Sequence, residues 1–292
     1  MSFLYSRRVA PWLLLTPALV LGTIFYAVPI ASSFYLSLTD WNALDAAHWR
    51  GVSNYIVLLT ADPLFMQSLV STFLLAIGSA AVGIPAALFL ALAVTASRHR
   101  AGWRTIFWLP AITNIVAVAY AWQIVLDPTY GIVNRLLAVV GIAGPDWLTQ
   151  PGTAMLSLTL VMAWMTLGQN ILLFSTGLEA IDQAVLEAAR SDGANGRQIL
   201  WHVTLPLLKP TTLFVLVSTL ISGMGAFALI LVMTEGGPDD GTMVTALYMY
   251  RMAFESLRIG RACAVAIILT VITLLLSVLQ LRFFGRDSDA SA

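Results

Sequence analysis

Residues Glu179 to Pro210 read EAIDQAVLEAARSDGANGRQILWHVTLPLLKP, the longest markedly polar interval in an otherwise apolar chain. The interval lies between two runs long enough to cross a bilayer, Thr153 to Leu178 and Thr211 to Met233. Connections of this length usually carry structure or function of their own rather than serving as bare linkers. Within it Ile181, Ala184, Val185 and Ala188 recur at i, i+3, i+4 and i+7, the spacing of one helical face, while Glu179, Asp182, Glu187 and Arg190 fall elsewhere on the surface. This predicts a short amphipathic helix. Asp192 and Gly193 supply its stop, because glycine enters the left-handed conformation that ends a helix without steric cost. Asn195 is a candidate N-cap for a second helix running through Ile199, Leu200 and Val203 to Pro206, whose ring disfavours helix at Leu205 and removes a donor. The predicted unit is helix, sharp turn, helix, then bend.

Working outward, the chain has 292 residues, 59% of them hydrophobic and 10% charged, with a mean hydropathy of +0.86. A soluble domain needs far more charge to cover its surface, so the bulk solvent is lipid. Six apolar runs, residues 11–36, 68–96, 105–126, 153–178, 211–233 and 262–284, are each near the ~20 residues needed to span. In lipid every backbone polar group must be bonded within its own segment, which predicts an all-α membrane protein with six transmembrane helices. With a cytoplasmic N-terminus, Arg7, Arg8, Arg98, Arg100, Arg104, Arg190, Arg197, Lys209, Arg282 and Arg286 fall inside, and Arg50, Arg135, Arg251, Arg258 and Arg261 outside. The excess inside is what the positive-inside rule asks, and it places residues 179–210 in the cytoplasm with both termini. The apolar run after Arg8 is too long for a cleaved signal and is read as a retained span. The single cysteine, Cys263, precludes an intrachain disulfide, and the polar tail from Gly285 to Ala292 is expected to be disordered.

Glu187-Ala188-Ala189, three residues, Gly193, nine residues and Val203-Thr204-Leu205-Pro206 resemble the EAA motif of the permease subunits of binding-protein-dependent ABC importers. That motif runs EAA, three residues, G, nine residues, I-x-L-P, and Val203 replaces the isoleucine with similar volume. Further stretches resemble the carbohydrate branch, which includes the maltose and glycerol-phosphate systems. They are the opening from Pro11 to Pro17, Gly51-Val52-Ser53-Asn54-Tyr55, Trp122-Gln123 with Asp127 to Asn134, and Thr234-Glu235-Gly236-Gly237-Pro238. The resemblance implies the type I importer permease fold, with the chain as one permease domain and residues 179–210 as a cytoplasmic coupling helix. It implies as partners a second homologous permease, two ATP-binding subunits and an extracytoplasmic solute-binding protein, in membrane lipid and with no nucleic acid. No cofactor is expected in this chain, since ATP and Mg would be bound by the ATPase subunits. Carried over by residue, Glu187 would bond the ATPase cleft, and Ala188 and Ala189 would permit close approach. Asp192 and Gly193 would make the turn, and Leu205 and Pro206 would join the lever to the fifth span. Gly193→Asp is then expected to leave the protein in the membrane while uncoupling hydrolysis from uptake. A rival from another class is an ATPase-independent channel or scaffold subunit.

Candidate path residues follow from the cost of polar groups in lipid and from the chemistry of sugars. Asn114 and Gln123 lie within a span, where an amide needs a partner helix or a wet path. Trp164 and Asn170 combine an aromatic face with an amide, the pair that matches a sugar's C–H faces and hydroxyl rim, although a core tryptophan and a helix-bridging amide fit equally. Met224 and Phe227 flank Gly225 in a stretch, Ser222 to Phe227, where glycines permit unwinding or close packing beside a substrate site. Gly78, Gly83 and Gly168, with the alanines near them, are expected to let helices approach closely. The segment from Asp40 to Gln67 is read as external, either a lid over helix ends or a rest for a soluble partner. The chain has no phosphate-cradling Gly-Lys-Ser/Thr loop, no metal-spaced Cys/His cluster and no catalytic set, so an enzyme is not expected.

Overall fold

The computed structural model describes residues 10–288, with side chains over residues 12–279 and at Arg282. Arg7, Arg8 and the last four residues of the tail lie outside the described residues. Four helices are long and apolar enough to cross a membrane, over Trp12–Ser37, Pro63–Ala96, Pro151–Glu179 and Ile259–Leu279, and the number rises to six if each of two bent pairs is one span. Those pairs are Arg100–Ile112 with Ile115–Val125, bent by 95°, and Gly196–Leu207 with Lys209–Met224, bent by 64°. The expected third span is therefore not one rod. The expected fifth breaks as well, at Gly225–Phe227, where one helix ends and the next starts at Ala228.

The chain divides into two compact units, residues 1–62 with 249–270 and residues 63–248 with 271–292. In the first unit, α1 runs from Ala10–Gly22 through a π turn at Thr23–Ala27 into Val28–Ser37. Pro29 lacks an N–H, and the wider turn before it, closed by Val28 N–H to the Thr23 carbonyl, lets the helix continue to Ser37. A short hairpin, β1 (Thr39–Asp40) against β2 (His48–Trp49), and helix α2 (Ser53–Thr60) follow. Asn54 donates to the carbonyls of Ser37 and Thr39, both at 2.8 Å, and the Tyr55 and Ser37 hydroxyls lie 2.7 Å apart. Asn54 and Tyr55 of the Gly51–Tyr55 stretch thus fasten the end of α1.

The second unit is built on α3 (Pro63–Ala96), α4 (Arg100–Ile112), α5 (Ile115–Val125), α6 (Ile132–Val139) and α7 (Pro151–Glu179). After the polar interval come α10 (Lys209–Met224) and α11 (Ala228–Met233). Ala87 and Ala91 of α3, Ile171 and Phe174 of α7 and Val215 of α10 form a buried cluster. Small residues set the spacing, as the sequence predicts. A Cβ on Gly223 would lie only 2.7 Å from the Ala76 Cα, so that glycine serves close helix approach, whereas one on Gly83 would make ordinary contact with Ala163 at 3.5 Å and the approach there does not require glycine. At Gly168 an added Cβ would collide with the backbone carbonyl of Phe107, which fixes α4 against α7.

Three short helices escape the hydropathy reading: α2, α6 and α12 (Thr245–Tyr250). The last is core. Val244, Thr245 and Leu247 are fully buried, and Thr72 of α3 accepts the Thr245 N–H at 2.8 Å. The Thr234–Pro238 turn is tight, with Gly236 at φ +81° and the Thr234 and Thr242 hydroxyls 2.7 Å apart. The last helix, α13, spans Ile259–Ser288, so the expected disordered tail is helical from Gly285 to Ser288.

Candidate functional site

Helix α7 ends at Glu179, whose carboxylate accepts from Arg104 at 2.7 Å and from Arg100 at 3.4 Å. The polar interval therefore leaves a base clamped to the start of α4. Helix α8 (Gln183–Ser191) begins at once, with the Asp182 side chain capping the Ala184 N–H at 2.9 Å. Ile181, expected on the helical face, lies before this cap and outside the helix. The rest of that face behaves unlike a core face. Ala184, Val185 and Ala188 fall within an arc of ~100° and all three are exposed, whereas Ala189, just beyond Val185, and Leu186, on the far side, are half-buried. Glu187 borders the arc and is exposed, with Gln183 at 3.4 Å as its side-chain neighbour.

The turn is a Schellman closure. Gly193 N–H donates to the Arg190 carbonyl and Ala194 N–H to the Ala189 carbonyl, each at 3.0 Å, with Gly193 at φ +85°. Asn195 then opens α9 with a reciprocal capping box: Gln198 N–H reaches the Asn195 side chain at 3.0 Å, and Asn195 N–H reaches the Gln198 side chain at 2.8 Å. Helix α9 runs from Gly196–Ile199 through a π turn, Leu200–Thr204, into Leu205–Leu207. It does not stop before Pro206 as the sequence predicts. The π turn, closed by Leu205 N–H to the Leu200 carbonyl, makes room for the ring, and the 64° bend falls two residues later at Leu208. Leu208 is 1% exposed, and a Cβ on Gly177 of α7 would lie 3.0 Å from its Cδ2. The bend is seated against α7.

The six path candidates separate. Asn114 is exposed and caps α5, accepting from Val116 at 2.9 Å and Ala117 at 3.4 Å. Gln123 bonds a neighbouring helix, donating to the Val232 carbonyl at 2.7 Å and the Met233 carbonyl at 3.3 Å. Asn170 takes the helix-bridging alternative: it is 2% exposed and donates to the Thr219 hydroxyl at 3.1 Å. Met224 is equally buried, and Phe227 is half-buried at the start of α11. None of these five lines the cleft that Trp164 lines. Trp164 alone of the six lines a cleft of about 580 Å³, with Phe107, Pro110, Thr113, Trp122 and Leu167 among its walls. Its ring meets Trp122 edge-on, centroids 5.5 Å apart. Sequence reasoning did not single out Glu179 with Arg104 as a base, because the pairing joins residues 75 positions apart.

Comparison with known proteins adds the following. The family described as "Binding-protein-dependent transport system inner membrane component" matches residues 83–286. The probable ABC transporter permease protein YurN of Bacillus subtilis is 32% identical over 97% of this chain and 99% of its own length. The sn-glycerol-3-phosphate transport system permease protein UgpA of Agrobacterium fabrum is 31% identical over 98% of each. Among solved structures, a bacterial ABC transporter involved in the import of the acidic polysaccharide alginate contains a chain 25% identical to this one. The two superpose with a TM-score of 0.81 over 96% of each.

Proposed function

The chain belongs to the family of binding-protein-dependent transport system inner membrane components, and on that premise we propose that it forms half of the translocation path of an ATP-driven importer for a sugar, polyol or glycerophospho compound. The fold is that of a type I ABC importer permease, and the chain is a multi-pass membrane protein. The substrate class rests on the relatives, whose names specify glycerol 3-phosphate and alginate. In this reading a second permease completes the path, two ATP-binding subunits carry the nucleotide and its Mg, and an extracytoplasmic binding protein delivers the solute. Both termini and residues 179–210 face the cytoplasm.

The observation that carries the reading is the exposed apolar arc of Ala184, Val185 and Ala188. Such an arc on a helix capped at both ends, seated on a clamped base, is a preformed surface for a partner. Glu187 would bond the ATPase cleft beside that arc, Gly193 would hold the turn, and Leu205 and Pro206 would carry the motion into α10. Closure of the ATPases would then move the segment as a lever and alternate the side on which the path opens. A channel or scaffold needs no such surface. Purification from native membranes tests the proposal: recovery of ATP-binding subunits with nucleotide hydrolysis supports it. Homo-oligomers that conduct solute without ATP contradict it.

A further inference from the structure

The two halves of the broken third run are fastened to different elements. Arg104 of α4 is paired with Glu179 at the end of α7, and Phe107 of α4 presses its backbone against Gly168. Helix α5 is held elsewhere, through Gln123 on the Val232 and Met233 carbonyls at the end of α11, directly before the Thr234–Pro238 turn. Between them the chain stops and restarts within two residues. Thr113 is extended, at ψ 144°, and its hydroxyl satisfies the Leu109 carbonyl at 2.8 Å. Asn114 then caps α5. Both sides of the 95° break are therefore terminated by their own hydrogen bonds. Such a break changes angle without opening a helical bond.

The cleft beside the break supplies room for that change. Pro110 and Thr113 line it from the α4 side of the break, Ala117 and Trp122 from α5, and Trp164 from α7. Its lining is mostly apolar, and the Thr113 hydroxyl is already bonded to Leu109. The edge-on contact of Trp122 with Trp164 joins α5 to α7 through ring packing across this cleft.

We infer that α4 and α5 form a joint that passes displacement of the clamped base at Glu179 to α11 and the Thr234–Pro238 turn. In it Asn114 is the positioning residue at the pivot and Gln123 is the pin at the far end. This rests on the importer reading and adds to it a second route for motion, from the base at Glu179, beside the one through Leu205 and Pro206 into α10.

The test uses the intact complex with its ATP-binding subunits, in lipid nanodiscs and a Cys263→Ser background. Spin labels go on Ile106→Cys and Ile124→Cys, positions 55% and 71% exposed on either side of the break. The distance between them is measured without nucleotide and with ADP and vanadate. The joint predicts a distance that shifts with nucleotide. Gln123→Leu loses most of that shift while hydrolysis continues. Asn114→Ala also loses it, and Asn114→Ser, which can still cap a helix, restores it. A hydrolysing complex whose distance is the same in both states overturns the joint and leaves the importer reading standing, as does an undiminished shift in Gln123→Leu. Failure of Asn114→Ser to rescue overturns the pivot assignment. If no ATP-binding subunit assembles with the chain, the importer reading itself fails and the inference falls with it.

Discussion

At Gly193 a side chain would meet nothing within 4 Å, so the need for glycine is torsional rather than steric. The residue sits at φ +85°, where an ordinary L-residue costs about 1–2 kcal/mol and asparagine less. Gly193→Asn should therefore retain the turn, and Gly193→Val should loosen it and lower nucleotide hydrolysis by the assembled complex. Gly193→Asp tolerates the same backbone, so the uncoupling expected of it comes from a charge placed on the docking surface. Comparable hydrolysis by the Asn and Val variants would refute the torsional argument. Asn170 shows where a residue's identity stops being informative. An amide and a nearby tryptophan are compatible with a sugar site or with a bridge between helices, and only the packing of α7 on α10 decides for the bridge. Asn170→Leu leaves the Thr219 hydroxyl buried without that partner, at a cost of about 1–3 kcal/mol. The loss should appear as a lower melting temperature of the purified protein.

Elements were legible where a single physical rule governs them. The caps at Asp182 and Asn195 and the stop at Gly193 are local hydrogen-bond chemistry, and Gly193 and Asn195 were identifiable from side-chain type and order alone. The break in the third run was not. Averaged hydropathy passes smoothly over Pro110, Thr113 and Asn114, since two capped residues hardly change the mean of a long apolar stretch. The short helices α2, α6 and α12 were missed for the complementary reason, being too brief for a window set to bilayer thickness. Proline was misread in one respect: Pro206 does not end α9, because a π turn absorbs it. Pro206→Ala restores the donor and removes the need for that turn. Loss of one residue from the turn rotates what precedes it by ~100° about the helix axis. The variant should assemble yet hydrolyse ATP with weaker response to the binding protein, and an unchanged response would show that the π turn does not orient the lever.

For the molecule as a whole, composition was sufficient for class and insufficient for cargo. Large apolar side chains stand exposed along the membrane helices, Leu14 at 79% and Phe89 at 70% among them. Such surface is stable only against lipid or a partner subunit. Specificity has no comparable signature here, because the polar side chains expected to read a solute are engaged in caps and bridges within the chain. The central claim is that an ATP-binding subunit grips the exposed arc of α8. Ala188→Cys, introduced in a Cys263→Ser background and modified in intact membranes with a short thiol-reactive photo-crosslinker, whose photoactivated end inserts into any bond it touches, measures this directly. The account predicts a covalent adduct between residue 188 and the ATP-binding subunit, formed only in the assembled complex. Labelling of that cysteine by a membrane-impermeant reagent from outside the cell, with no adduct to any ATP-binding subunit, would contradict it.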